Sequence, residues 1–231
     1  IRDSWSVADG GRSLKFRKPQ FLREVGISAT VKTTSDQIVT RLAVAPNGET
    51  LAAYVCYGLT GSESALRLWP KSGGSKAVSS RDPKDFYIQD LCFSQDSQQI
   101  ISLVGQTGTG TGKKDSGFVL TVRSVEDPEK VTFRRHFDNL PDETGGLCAI
   151  PKTTWLAMGG DEGVLIFDLK TEKEVALLKT PVPFPVTELT VSRDGKFLAA
   201  GTEHGFGNAW IILWELSSRR VRARRQHVCR D

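Results

Sequence analysis

The sequence predicts an all-β fold, a β-propeller of four-stranded antiparallel blades, and three observations predict it. First, residues 186–216, VTELTVSRDGKFLAAGTEHGFGNAWIILWEL, hold three apolar strand patterns joined by connections too short to cross a sheet, which makes them an antiparallel meander. Second, the opening of that unit recurs as LAVAPNG from Leu42, LCFSQDS from Leu91, LCAIPKT from Leu147 and LTVSRDG from Leu189, at spacings of 49, 56 and 42 residues. Third, every copy is followed by a second strand pattern (TLAAYVCY, QIISLVG, TWLAMGG, KFLAAGT) and a third (ALRLW, FVLTVRS, GVLIFDL, IILWEL). Repeats of about 40 to 45 residues with four short strands each have the period of propeller blades.

In chain order, residues 1–37 fit the repeat least. Trp5 to Val7, Leu14 to Arg17 and the alternating Ile27, Ala29 and Val31 suggest strands, with Asp9-Gly10-Gly11 as a turn, so the segment is expected to be a partial blade or a lead-in. Blades are expected at about 38–82, 86–136, 140–180 and 185–228. Pro70 ends the third strand of the first. The second carries the longest insertion, GQTGTGTGKKDSG from Gly105 to Gly117. The third turns tightly at Asp161-Glu162-Gly163, and alternating Pro181, Pro183 and Pro185 make an extended connector into the fourth.

Asp161-Glu162-Gly163-Val164-Leu165-Ile166-Phe167-Asp168-Leu169, the Trp69 and Trp214 strand ends, and the Asn47-Gly48 and Asp194-Gly195 turns resemble WD-repeat (WD40-like) β-propeller blades over roughly residues 38–228. The chain departs from that pattern in two ways. No blade has the Gly-His pair before its first strand, and Phe167-Asp168 or Trp214-Glu215 stand in place of Trp-Asp. Blade cohesion is therefore expected to rest on apolar packing more than on a buried histidine network. The resemblance implies rings of seven or eight blades, so the chain reads as part of a larger propeller, with a compact five-blade ring as the alternative.

Composition narrows the chemistry. Cys56, Cys92, Cys148 and Cys229 are scattered without a CxxC pair or a disulfide spacing, which favours a cytoplasmic setting, and His136, His204 and His227 lie far apart, so neither a metal nor another cofactor is expected. Cys92 and Cys148 occupy one repeat position, where Ala43 and Thr190 stand in the other blades, as expected of small side chains where inner strands crowd the axis. The sequence holds no apolar run long enough for a membrane helix. Its net charge of +4 sits in the tail, where residues 218–231 carry six arginines against one aspartate and the other 217 residues sum to −1. With no aromatic side chains interleaved to stack on bases, that tail reads as a charged edge strand and argues against nucleic acid.

Gly112-Lys113 resembles the end of a phosphate loop, but Thr107 replaces the first glycine, Lys114 the hydroxyl residue, and a strand follows where a helix is required. Glu203 and His204 have no nucleophile beside them in sequence, and Asp161, Asp168 and Asp194 are accounted for by turn chemistry. Enlarged connections between second and third strands, Cys56 to Glu63, Gly105 to Gly117 and Thr202 to Asn208, should crowd one face of the ring. Tyr57, Gln106, Lys113, Lys114, His204 and Phe206 are the expected contacts there for a protein or peptide partner. The reading is a non-enzymatic interaction scaffold, and its alternative is a regulatory or docking module of a larger multidomain enzyme or sensor.

Overall fold

The computed structural model describes residues 4–8, 13–17, 30–32, 37–57, 63–72, 76–78, 86–106, 117–137, 146–204 and 208–228. Among them every regular element is a β-strand. The strands β1 (Ser4–Ala8), β2 (Ser13–Arg17) and β3 (Thr30–Lys32) form a three-stranded antiparallel sheet. Four meanders follow, each with its strands side by side in chain order. Blade 1 is β4 (Gln37–Val44), β5 (Thr50–Tyr57), β6 (Glu63–Pro70) and β7 (Lys76–Val78). Blade 2 is β8 (Phe86–Phe93), β9 (Gln99–Gln106), β10 (Gly117–Ser124) and β11 (Val131–Phe137). Blade 3 is β12 (Leu147–Ala149), β13 (Trp155–Gly160), β14 (Gly163–Asp168) and β15 (Lys173–Lys179). Blade 4 is β16 (Val186–Val191), β17 (Phe197–His204), β18 (Asn208–Glu215) and β19 (Arg220–Val228).

The first hairpin of each blade closes the same way because its sequence repeats. Ala45, Ser94, Ile150 and Ser192 each donate a backbone N–H to the carbonyl five residues on, at 2.8 to 3.0 Å. In blades 2 and 4 an Asp two residues after the serine ties the corner. Asp96 accepts from Ser94 Oγ at 2.5 Å and Gln98 N–H at 3.0 Å, and Asp194 accepts from Ser192 Oγ at 2.6 Å and Lys196 N–H at 3.1 Å. In blades 1, 2 and 4 the last turn residue is left-handed, which Gly48 (φ 73°) and Gly195 (φ 75°) take freely and Ser97 (φ 63°) takes at a cost, whereas in blade 3 the left-handed residue is Lys152 (φ 62°), one place earlier.

Bulges recur at fixed places. Inner strands shift register at Val39/Arg41, Ile88/Asp90 and Val186/Glu188, and third strands at Val122/Arg123, Ile166/Phe167 and Leu213/Trp214. Thr40 and Thr187, the extra residues in blades 1 and 4, place their hydroxyls on the second-strand carbonyls of Tyr54 and Gly201 at 3.5 and 3.4 Å. A bulge twists its strand and re-aims the next side chain. Arg41, Asp90 and Glu188 follow these bulges, and Gly146 holds the same place before Leu147.

Apolar side chains alternate across each sheet, so successive blades bury facing sets against one another and the two middle blades are covered on both faces. Ala52, Tyr54, Leu66 and Leu68 of blade 1 pack on Leu91, Ile100 and Val104 of blade 2. Ile101, Leu103, Leu120 and Val122 of blade 2 meet Leu156, Met158 and Phe167 of blade 3. Ala157, Val164 and Ile166 of blade 3 meet Leu198, Ala200, Ile212 and Trp214 of blade 4.

Candidate functional site

A cleft of about 730 Å³ lies where blades 2 and 3 meet. The turn pairs that frame it explain its shape. The β8–β9 turn contributes Gln95 and Asp96, the β12–β13 turn Lys152 and Thr154, and the β14–β15 turn Lys170 and Glu172. Ile101, Val122, Phe133, Leu156 and Leu169 give it an apolar floor.

Its walls are fixed from both blades. Gln95 Nε2 donates to the Ala149 carbonyl at 3.1 Å across the seam. Farther out, Arg135 donates from Nη1 to the Glu172 carbonyl at 2.6 Å and lies 3.9 Å from the Glu174 carboxylate. Its guanidinium stands 5.1 Å from the Phe137 ring centre and 4.9 Å from that of Phe167. Phe137 meets Phe167 edge-on at 5.7 Å, with Phe133 at 6.1 Å, so the seam carries an aromatic cluster topped by one cation.

The carboxylates at the rim are engaged. The Ser94 hydroxyl, then the Gln98 N–H, hold the Asp96 carboxyl below its usual range. The Thr154 hydroxyl at 2.5 Å does the same for Asp168, helped by Lys170 N–H and the Thr171 hydroxyl at 3.0 Å each. Both stay ionised as turn ties. At the inner strands, burial raises the pKa of Asp90 despite the backbone N–H groups it accepts from, Leu91 at 2.8 Å and Leu147 at 2.6 Å. Burial likewise raises the Cys92 thiol well above its usual range and pushes that of Cys148 up to about 12, so both are protonated and unreactive at neutral pH. Among the described residues no group of three or more His, Cys, Asp or Glu side chains could hold a metal.

Of the six residues expected to make contacts, three lie within described strands. Tyr57, Gln106 and His204 are strand ends, pairing with Glu63, Gly117 and Asn208, because the second-to-third hairpin ladders run farther than the glycines and polar residues suggest. Their side chains lie outside the described set, and so do Lys113, Lys114 and Phe206. These hairpins leave the blades at the end opposite the cleft. Sequence reasoning missed the cleft because it followed insertion length. The signal it passed over was the pair of turns Gln95-Asp96-Ser97 and Lys152-Thr153-Thr154, which lack the glycine of their equivalents in blades 1 and 4.

The architecture matches solved structures. A chain of Kuenenia stuttgartiensis hydrazine synthase superposes with a TM-score of 0.61 at 15% identity, over 85% of this chain and 51% of that one. The Cps50 (Swd1) beta-propeller domain of Myceliophteria thermophila gives 0.60 at 14% identity, over 95% and 70%. The fold is a β-propeller. An acylaminoacyl peptidase in complex with Z-Gly-Gly-Phe-chloromethyl ketone also superposes, at 0.57 and 12% identity over 90% of this chain and 34% of that one. The propeller thus spans about half the hydrazine synthase chain and a third of the peptidase. No family model matches the sequence, and no curated protein matches it. No helix among the described residues of the propeller is long and apolar enough to cross a membrane.

Proposed function

We propose that this propeller is a non-enzymatic interaction scaffold of the WD-repeat type that seats an extended protein or peptide segment in the cleft between blades 2 and 3. The observation that carries the reading is the cleft itself, an apolar floor of Ile101, Val122, Phe133, Leu156 and Leu169 under a polar rim. Such a site anchors one bulky apolar side chain and satisfies the flanking backbone at its edge. The hairpin ends with Tyr57, Gln106, Lys113, Lys114, His204 and Phe206 form a second, separable contact region. Peptides selected from a displayed library on the intact protein supply the probe, with affinity read by fluorescence anisotropy. Lys152 and Lys170 are exposed rim residues. The pair Lys152→Glu and Lys170→Glu should weaken a selected peptide at least about tenfold, roughly 1.4 kcal/mol, with the melting temperature unchanged. Unchanged affinity there, with loss on Lys113→Glu and Lys114→Glu, overturns the cleft in favour of the hairpin face.

The coverage of 51% and 34% of two longer chains supports a second reading, a regulatory or docking module of a larger multidomain enzyme or sensor. Intact mass of the protein isolated from its native source separates the two.

A further inference from the structure

The corner between β12 and β13, on the rim of the cleft, is built unlike its counterparts. In blades 1, 2 and 4 the left-handed residue is the fourth of the corner, Gly48, Ser97 or Gly195. In blade 3 it is the third, Lys152, which follows Pro151 in a corner closed by the Thr153 N–H on the Ile150 carbonyl at 3.3 Å. Proline in second place and a left-handed residue in third make a type II turn, whose third place favours glycine or asparagine. A lysine holds it instead at φ 62°, a strained choice that the equivalent corners of the other described blades do not make. Glu172, left-handed on the same rim (φ 56°), is a different case, because Arg219 repeats it in blade 4 (φ 55°) and it belongs to the turn.

The turn type sets which way its middle peptide faces. A Cβ on Gly195 of blade 4 would lie 2.9 Å from the Pro151 carbonyl oxygen and 3.7 Å from the carbonyl carbon, so that oxygen leans towards blade 4. The described peptide bonds are trans, which holds an N–H anti to its C=O. The Lys152 N–H therefore faces away from blade 4, on the side where Lys152 lines the cleft. Among the described residues it has no acceptor, and the exposed ammonium groups of Lys152 and Lys170 have no ion-pair partner. The carboxylates nearby are more committed. Asp96 is held by Ser94 Oγ and the Gln98 N–H, and Asp168 by Thr154 Oγ, the Lys170 N–H and Thr171 Oγ. That leaves Glu172 against two ammonium groups and a backbone donor.

From this geometry we infer that the cleft takes a partner segment in which a carboxylate side chain flanks the apolar anchor, and that Lys152 is the residue that reads it. The anchor fills the apolar floor. The carboxylate accepts from the Lys152 N–H and pairs with the Lys152 ammonium, a charge-assisted contact, and Lys170 adds a second positive charge. Lysine at a glycine place then has a reason: the flipped peptide aims the donor, and the side chain sets a cation beside it. The inference rests on the cleft reading proposed above and adds the chemistry of its ligand.

The probes are peptides selected from a displayed library on the intact protein, each also synthesised with its Asp and Glu residues changed to Asn and Gln, and separately with an amidated C-terminus. Anisotropy gives the affinities, and amide exchange of the complex locates the peptide on the protein. The side-chain amide copy should bind at least about tenfold more weakly than the acidic peptide, and the C-terminal amide equally well. Lys152→Gly should weaken the acidic peptide on the order of tenfold and the side-chain amide copy less than about twofold. Glycine takes φ 62° freely, so this variant keeps its fold. Lys170→Gln should give a smaller loss with the same dependence on the carboxylate. Exchange should slow in the turns Gln95–Ser97 and Lys152–Thr154. Slowing there with equal affinity for the acidic and amide peptides overturns the inference and leaves the cleft reading standing. The same holds if Lys152→Gly weakens both peptides alike, or if the loss follows the C-terminal amide. Selection of no peptide, or slowed exchange elsewhere, overturns both.

Discussion

At the scale of single residues, polar groups at the seams matter through their partners. Asp90 joins two blades by accepting from Leu91 and Leu147 at once. Asp90→Ala should cost about 1–3 kcal/mol in urea unfolding, because it strands a part-buried N–H that water reaches poorly. Thr121 and Thr202 show the reverse case. Each is 2% exposed, with a hydroxyl that finds no hydrogen-bond partner. Thr202→Val should therefore raise stability by up to about 1 kcal/mol, seen as a higher urea midpoint. Asp168 sets a pH dependence. Its folded pKa is lowered from 3.8 mainly by the Thr154 hydroxyl, so the stability it adds is present above that value and is lost as pH falls through the folded pKa. The gap in urea midpoint between the parent and Asp168→Asn should shrink as the pH drops from 7 to 3.

At the scale of elements, the turns decide what the sequence makes legible. Strand order and hairpin corners could be read because apolar alternation, the Asn47-Gly48 and Asp194-Gly195 pairs and the recurring leucines each report on local backbone. The three-strand sheet of β1 to β3 follows fragments that the same alternation marked. The cleft could not be read, since it arises where turns of two different blades diverge, and nothing local in Gln95 or Lys170 reports a neighbour more than fifty residues away. Bulges were invisible for a similar reason: Thr40, Gln89 and Thr187 look like ordinary strand residues, and only the pairing register exposes them. Gly163 was read as part of a tight turn, and the structure gives the reason it is glycine. At φ 145°, a Cβ there would lie 2.1 Å from the Leu178 carbonyl oxygen, which is backbone and cannot step aside. Gly163→Ala should cost at least about 2 kcal/mol and lower the thermal midpoint, by displacing the β14–β15 ladder.

At the scale of the whole molecule, three apolar seams join the four described blades. Trp214, 1% exposed in the seam of blades 3 and 4, is the largest fully buried side chain described. Trp214→Ala should cost about 3–5 kcal/mol, measured by chemical denaturation. Surface ion pairs such as Lys71–Glu49 and Lys196–Asp194 should contribute little by comparison, so moderate salt should leave the midpoint nearly unchanged. The arginines of β19 are exposed, as a charged outer strand requires, and Arg222 bonds to Glu215 on the strand beside it. That placement fits an edge that discourages strand addition.

The two protonated thiols give this stack a built-in stopwatch. Cys92 packs against the core shared by blades 2 and 3, and Cys148 against the core shared by blades 3 and 4. Both cysteines are only part-buried, and because burial keeps the proton on each sulfur, an alkylating reagent should react slowly with either until the surrounding strands loosen. Peptide mapping of timed alkylation would therefore time that loosening at the two inner strands within one sample, with no engineered label.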